Sequence, residues 1–198
     1  MRAWCWILLL LIPVAQAEVS LQQRLSAIHS LQGEFTQQVL SESGQQLETS
    51  SGRFRLLKPG FFSWHILEPD EQLLLATSAS LLHYDVELET ATRREINETQ
   101  GAGPLSILSG NSDSLESLYQ VEQTGSDTYH LLPTSADRDF TAFSLTFSGD
   151  FPSTIRVQDH LQQTTVIEFS GVELNPPLAP ADFEFEPPAG VDLYYHER

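Results

Sequence analysis

Residues 52–70 read GRFRLLKPGFFSWHILEPD, and no other stretch limits the possible folds of this chain as strongly. Lys58-Pro59-Gly60 predicts a chain reversal, because proline fixes its own φ and glycine accepts φ > 0. Side chains alternate along a strand, so the run after the turn sets Phe62, Trp64 and Ile66 on one face. Phe61, Ser63, His65 and Leu67 fall on the other. One face is aromatic and apolar and the other is mixed. Two such runs around a tight turn form an antiparallel hairpin. Its apolar face belongs either to a packed core or to the wall of a cavity for an apolar guest, and the residues alone leave both open.

The same texture continues on both sides. Short runs rich in Phe, Val, Thr, Leu and Tyr predict strands near 34–40, 47–57, 61–67, 72–77, 81–86 and 90–96. Further strands are predicted near 119–124, 128–133, 141–148, 153–158 and 161–173. Turn residues at 41–44, 68–71, 126–127, 149–150 and 159–160 separate them, the pattern of an antiparallel meander. Before the strands, Val19, Leu21, Leu25, Ile28 and Leu31 form a helical stripe that ends near Ser30 and Gly33. In the middle, Pro104 opens a short helix over Leu105, Ile107 and Leu108, and Asn111-Ser112-Asp113 caps another over 114–118. Two short helices inserted between strands are placed to cap an opening in the sheet. Five prolines keep the tail from 175 onward out of a central strand, with a brief edge strand expected around Phe183 and Phe185.

The chain begins MRAWCWILLLLIPVAQA. Arg2, an apolar run too short to span a bilayer and Ala15-Gln16-Ala17 predict a secretory signal peptide over 1–17. Residues 18–198 then form one domain, long enough to bury a core without staples. The single cysteine, Cys5, lies in the leader, so the mature domain has no disulfide, thiolate nucleophile or cysteine metal site. The net charge of −17 becomes −18 once Arg2 is removed. That balance argues against nucleic acid and against adsorption on anionic lipid, both of which need clustered Lys and Arg. Asn97-Glu98-Thr99 matches a glycosylation sequon, relevant only in a eukaryotic secretory pathway.

No catalytic signature is present: neither a G-x-S-x-G elbow, an H-E-x-x-H helix nor a phosphate-cradling glycine loop. His83 and Asp85 share a strand face, as two metal ligands would, but an isolated pair is ordinarily polar surface or core. Glu68 and Asp70 flank Pro69, which suits a solvated turn better than an acid and base pair. His196 is expected to be exposed near the chain end. A lysine at a turn, such as Lys58, is commonly just solvated. No cofactor or metal is expected.

The order of features resembles one family. An amphipathic helix, GEFTQQ, the G-x-F-x-x-x-K-P-x-x-F-x-W-H block, EPDE and a closing F-x-F-x-P-P-x-G-V-D follow one another over essentially the whole mature chain. Together they identify the chain as a member of the LolA family of outer-membrane lipoprotein carriers. The resemblance implies an unclosed antiparallel β-barrel of about eleven strands, with an α-helical lid over an apolar face. It implies a monomeric periplasmic chaperone, not an enzyme, whose partners are lipoproteins, the inner-membrane ABC transporter LolCDE and the outer-membrane receptor LolB. Under it, Phe62, Trp64, Ile66 and Tyr84 are candidates for the acyl-chain wall, and Leu105, Ile107 and Leu108 for the lid. Lys58 stands where well-known members carry an arginine that ties the lid shut, which keeps the charge and loses the five-donor fork. Its expected partners are carbonyls of the inserted helices. The competing expectation is a periplasmic regulatory module that senses lipid or lipoprotein with a similar half-barrel. The receptor end of the pathway needs an N-terminal lipidated cysteine that this chain lacks, and a hydrolase would need a nucleophile constellation.

Overall fold

Every strand in the described residues joins one sheet. The computed structural model describes residues 19–95, 106–109, 115–135 and 140–196. Helix α1 (Leu21–Ser26) leads into β1 (Ser30–Leu40), β2 (Gln46–Leu57), β3 (Phe61–Glu68), β4 (Gln72–Ala76), β5 (Ser80–Asp85) and β6 (Thr90–Glu95). Two one-turn helices, α2 (Ser106–Ser109) and α3 (Leu115–Leu118), precede β7 (Tyr119–Gln123), β8 (Thr128–Pro133) and β9 (Phe140–Ser148). Then come β10 (Phe151–Asp159), β11 (Thr164–Leu174), a 3₁₀ turn at Pro180–Phe183 and β12 (Asp192–His196). Across the sheet the order is β12-β6-β5-β4-β3-β2-β1-β11-β10-β9-β8-β7. The outermost strands, β12 and β7, do not pair with each other, so the barrel is open.

The hairpins follow their turn residues. Gly60, at φ +79°, takes the left-handed conformation that the β2–β3 reversal needs. Every neighbouring pair is antiparallel except β12, which runs parallel to β6, with Asp192 beside Thr90 and His196 beside Arg94. This differs from the purely antiparallel expectation, and so does the tail. Phe183 closes a 3₁₀ turn instead of joining an edge strand, and the strand forms nine residues later. Its proline-rich lead carries the chain back across the sheet, where Phe183 and Phe185 pack on Phe61 and Tyr84.

The helical stripe at the start is shorter than its spacing predicts. Ser20 caps α1 through Gln23, and the helix stops at Ser26, so Leu31 belongs to β1. Asn175 is the reason. Its Oδ1 accepts the His29 and Ser30 N–H groups and its Nδ2 donates to the Ala27 carbonyl, drawing the chain out of the helix and onto the sheet. Leu21, Leu25, Ile28 and Leu31 are nonetheless all buried, since helix and strand face the same interior.

The sheet therefore has two covered faces. On the inner face, α1, α2 and α3 join one large apolar cluster with residues of β1–β5 and β7–β11. On the outer face, Leu75, Leu82, Tyr84, Ala91 and Phe183 form a smaller cluster beneath the tail.

Candidate functional site: an apolar inner face under three short helices

Alternation along β1, β2, β3 and β11 brings five aromatic rings together on the inner face. Phe35 stacks on Trp64 with ring centroids 3.6 Å apart, and Phe62 lies 5.8 Å from the same indole. Phe169 meets Trp64 edge-on at 6.3 Å and Phe54 at 4.8 Å. Across the sheet, Tyr119, Phe140 and Phe143 form a second aromatic group with centroids 5.4–6.4 Å apart. Leu21 and Leu25 of α1, Ile107 and Leu108 of α2 and Leu115 of α3 fill the space between them. Helix α2 rests against β2.

One cavity opens beside the Trp64 group. A cavity of about 210 Å³ is lined by Trp64, Ile66, Gln72, Leu74 and His83. That is below the ~300–1,000 Å³ of a small-molecule site. Its polar element is one side-chain pair, His83 Nε2 and Gln72 Oε1, 3.2 Å apart.

Of the residues expected to line this space, Phe62, Trp64 and Ile66 share the inner cluster. Ile107 and Leu108 of the expected lid lie in it too, 9% and 2% exposed. Leu105, like the leader, the sequon and Pro104, lies outside the described residues. Tyr84 is on the opposite face, with its ring 5.3 Å from Phe185. The register explains this. Leu73 pairs with Tyr84 while Leu74 pairs with His83, so His83 points to the Trp64 side and Tyr84 away from it. His83 and Asp85 are occupied separately, by Gln72 and by the Leu88 N–H. Among the described residues, no three His, Cys, Asp or Glu side chains are grouped to hold a metal ion.

Lys58 holds the first helix. Its Nζ donates to the Leu25 carbonyl of α1 at 2.7 Å, and its backbone N–H donates to the His29 carbonyl. Burial pushes its pKa down to about 8. Among the described residues its partner is thus the first helix; the expected partners at 101–105 and 110–114 lie outside them.

A second tie has no motif to announce it. Arg24, on the same helix, donates through Nη1 to the Gly149 carbonyl at 2.9 Å and through Nη2 to Asp127 at 2.6 Å. Its guanidinium also lies over the Phe147 ring, 5.0 Å from the centroid. The Ser126 hydroxyl and then Arg24 hold the Asp127 carboxyl below its usual pKa. The Tyr129 hydroxyl donates to the Val19 carbonyl at 2.6 Å. Helix α1 is thus pinned from the β2–β3 turn on one side and from the β7–β8 and β9–β10 turns on the other. Arg24 lies on the polar side of the helical stripe, and that position is the only signal its sequence context offers.

The chain matches the family model described as "Outer membrane lipoprotein carrier protein LolA" over residues 26–186. Proteins named outer-membrane lipoprotein carrier protein are similar over most of their length. That of Dechloromonas aromatica is 34% identical, covering 98% of this chain and 94% of its own. That of Halorhodospira halophila is 35% identical, covering 84% and 80%. That of Bordetella avium is 31% identical, covering 89% and 86%. Among solved structures, an uncharacterized conserved protein of Thermus thermophilus superposes with a TM-score of 0.56 at 12% identity, over 88% of this chain and 98% of that one. A putative outer membrane lipoprotein-sorting protein domain of Vibrio parahaemolyticus gives 0.53 at 14%, over 82% and 93%. These two likenesses speak for the fold alone.

Proposed function

We propose, for a chain that belongs to the LolA family of outer membrane lipoprotein carriers, that the inner face is the acyl-chain site and that its helices are what a cargo displaces. The observation that carries this reading is the pairing of a continuous apolar sheet face with short covering helices. Helix α2 is four residues long and contributes Ile107 and Leu108 to the interior. Burying a lipid CH₂ stabilises by about 0.8 kcal/mol, so one long acyl chain represents on the order of 10 kcal/mol. A carrier has to match that and still release. Side chains that fill the site when it is empty and leave when it is loaded satisfy both demands, because unloading restores their own burial.

In this reading Phe62, Trp64 and Ile66 form the wall, joined by Leu74 and His83. Ile107 and Leu108 are the movable filling, and Lys58 anchors α1 at the turn side. Tyr84 belongs to the back of the sheet and has no part in the site. The chain acts as a monomer in the periplasm. It accepts lipoproteins from the inner-membrane transporter LolCDE and passes them to the outer-membrane receptor LolB. No bond is made or broken, and no catalytic residue is required. Among the described residues no helix is long and apolar enough to cross a membrane.

The test is co-expression of the full chain with a lipoprotein, followed by native mass spectrometry. A one-to-one complex that forms with the lipidated protein, and not with a variant lacking its acylated cysteine, is the expected result. Equal capture of both forms, or of neither, overturns the proposal.

A further inference from the structure

The inner face changes character along one row of paired residues. Trp64 of β3 pairs with Leu74 of β4, Leu74 with His83 of β5, His83 with Thr92 of β6, and Thr92 with Tyr194 of β12. Ala91 and Leu193 belong to the outer cluster, so Thr92 and Tyr194, each one residue further along, face inward. The row therefore lies on one side of the sheet. It begins at an indole 5% exposed and ends at a tyrosine 55% exposed. Neighbouring strands lie about 4.8 Å apart, so the row spans about 19 Å.

His83 marks the change. It is exposed, lines the cavity beside Trp64, and donates its Nε2–H to Gln72 Oε1. The Gln72 amide keeps its N–H donors, and no described residue accepts from them. Beyond His83, no described residue of β6 or β12 joins the inner apolar cluster. The other open edge differs. Val121 of β7 pairs with Leu131 of β8, and Leu131 with Phe143 of β9. Leu131 and Phe143 are buried, so that row stays apolar to its last strand.

We infer that a lipoprotein's polar head leaves the acyl site across β5, β6 and β12, with its ester and first peptide groups over Gln72, His83 and Thr92 and its chain passing Tyr194. The inference rests on the carrier reading and adds a direction to it. Acyl chains gain by burial against Trp64. The ester and amide groups attached to them need hydrogen-bond partners wherever water is excluded. The Gln72 amide and the Thr92 hydroxyl supply donors to carbonyls at the step where the face turns polar. His83 and Tyr194 lie two strands apart, about 10 Å, which about three extended residues cover.

The test uses the chain from Glu18 and a short lipopeptide whose N-terminal cysteine carries a diacylglyceryl thioether. The photocrosslinker p-benzoylphenylalanine is placed at Tyr194, at Tyr195 or at Val121, one site per variant. All three sites are exposed, and Tyr195 is the neighbour of Tyr194 on the opposite face of β12. Native mass spectrometry checks that each variant takes up the lipopeptide. The expected result is a crosslink from Tyr194 to the peptide within about three residues of its cysteine, and loss of that crosslink at Tyr195 and Val121. Uptake without a crosslink from Tyr194, or a crosslink from Tyr195 or Val121 as strong as that from Tyr194, overturns the direction while the carrier reading stands. No uptake by wild type overturns the carrier reading and this inference with it.

Discussion

Phe35 and Trp64 stack at 3.6 Å although a whole strand, β2, runs between them. The residue beneath their contact is Gly52, paired with Phe35 on one side and Ile66 on the other. The two rings lean over the position without a side chain. A Cβ there would run into the His65 carbonyl oxygen, which is backbone and cannot step aside. Gly52→Ala is therefore expected to lower stability by about 1–3 kcal/mol, read as a fall in the urea midpoint. An unchanged midpoint would mean that β2 and β3 separate there without cost.

Leu108 distinguishes a filling from a fixed core. It is 2% exposed and packed in the inner cluster, so Leu108→Ala should destabilise the empty chain by roughly 2–5 kcal/mol. If Leu108 gives way to cargo, the loss falls on the empty state alone, and lipopeptide binding tightens. Thermal unfolding and a binding titration on one variant decide the matter. Lower stability with weaker binding would place Leu108 in the wall instead.

Lys58 sets a pH dependence whose sign follows from its burial. Its pKa is about 8 in the fold against 10.5 for the free side chain. Between those values the unfolded chain holds the proton and the folded chain does not, so this group's contribution to stability rises with pH across that window. Below about pH 8 both states are charged and the burial cost applies in full. Lys58→Met should remove that rise, so urea midpoints at pH 7.5 and 9.5 differ less in the variant than in wild type. The Leu25 carbonyl keeps a helix-end partner in the Ile28 N–H, so no acceptor is stranded. Equal slopes in the two proteins would contradict the assignment.

Arg24→Met should free the other end of α1. The substitution removes the hydrogen bonds to Gly149 and Asp127, so amide exchange over α1 rises while that of β2 and β3 does not. A uniform increase over the whole sheet would instead make Arg24 part of global stability.

Much of the fold is legible in the sequence where physics is local. The Lys58-Pro59-Gly60 reversal, the hairpins and the alternation of Phe62, Trp64 and Ile66 depend on neighbours along the chain, and the structure has them. Tyr84 is different. Its face depends on the register across β4 and β5, and a shift of one residue exchanges Tyr84 with His83. The parallel pairing of β12 joins residues about a hundred apart, with no local pattern to announce it. The early helix stops short because of Asn175, far along the chain. The family resemblance, not the turn itself, implies a latch at Lys58, and its contact with the Leu25 carbonyl is set by where α1 lies, which the turn sequence does not encode.

The most direct measurement uses Trp64 itself. In a chain beginning at Glu18 it is the sole tryptophan, since the other two are Trp4 and Trp6. Its indole is 5% exposed in the middle of the inner cluster. A lipopeptide with bromine-labelled acyl chains should quench its fluorescence strongly, while the unlabelled lipopeptide binds equally well without quenching. Full binding of the brominated probe with undiminished Trp64 emission would contradict an acyl site on this face.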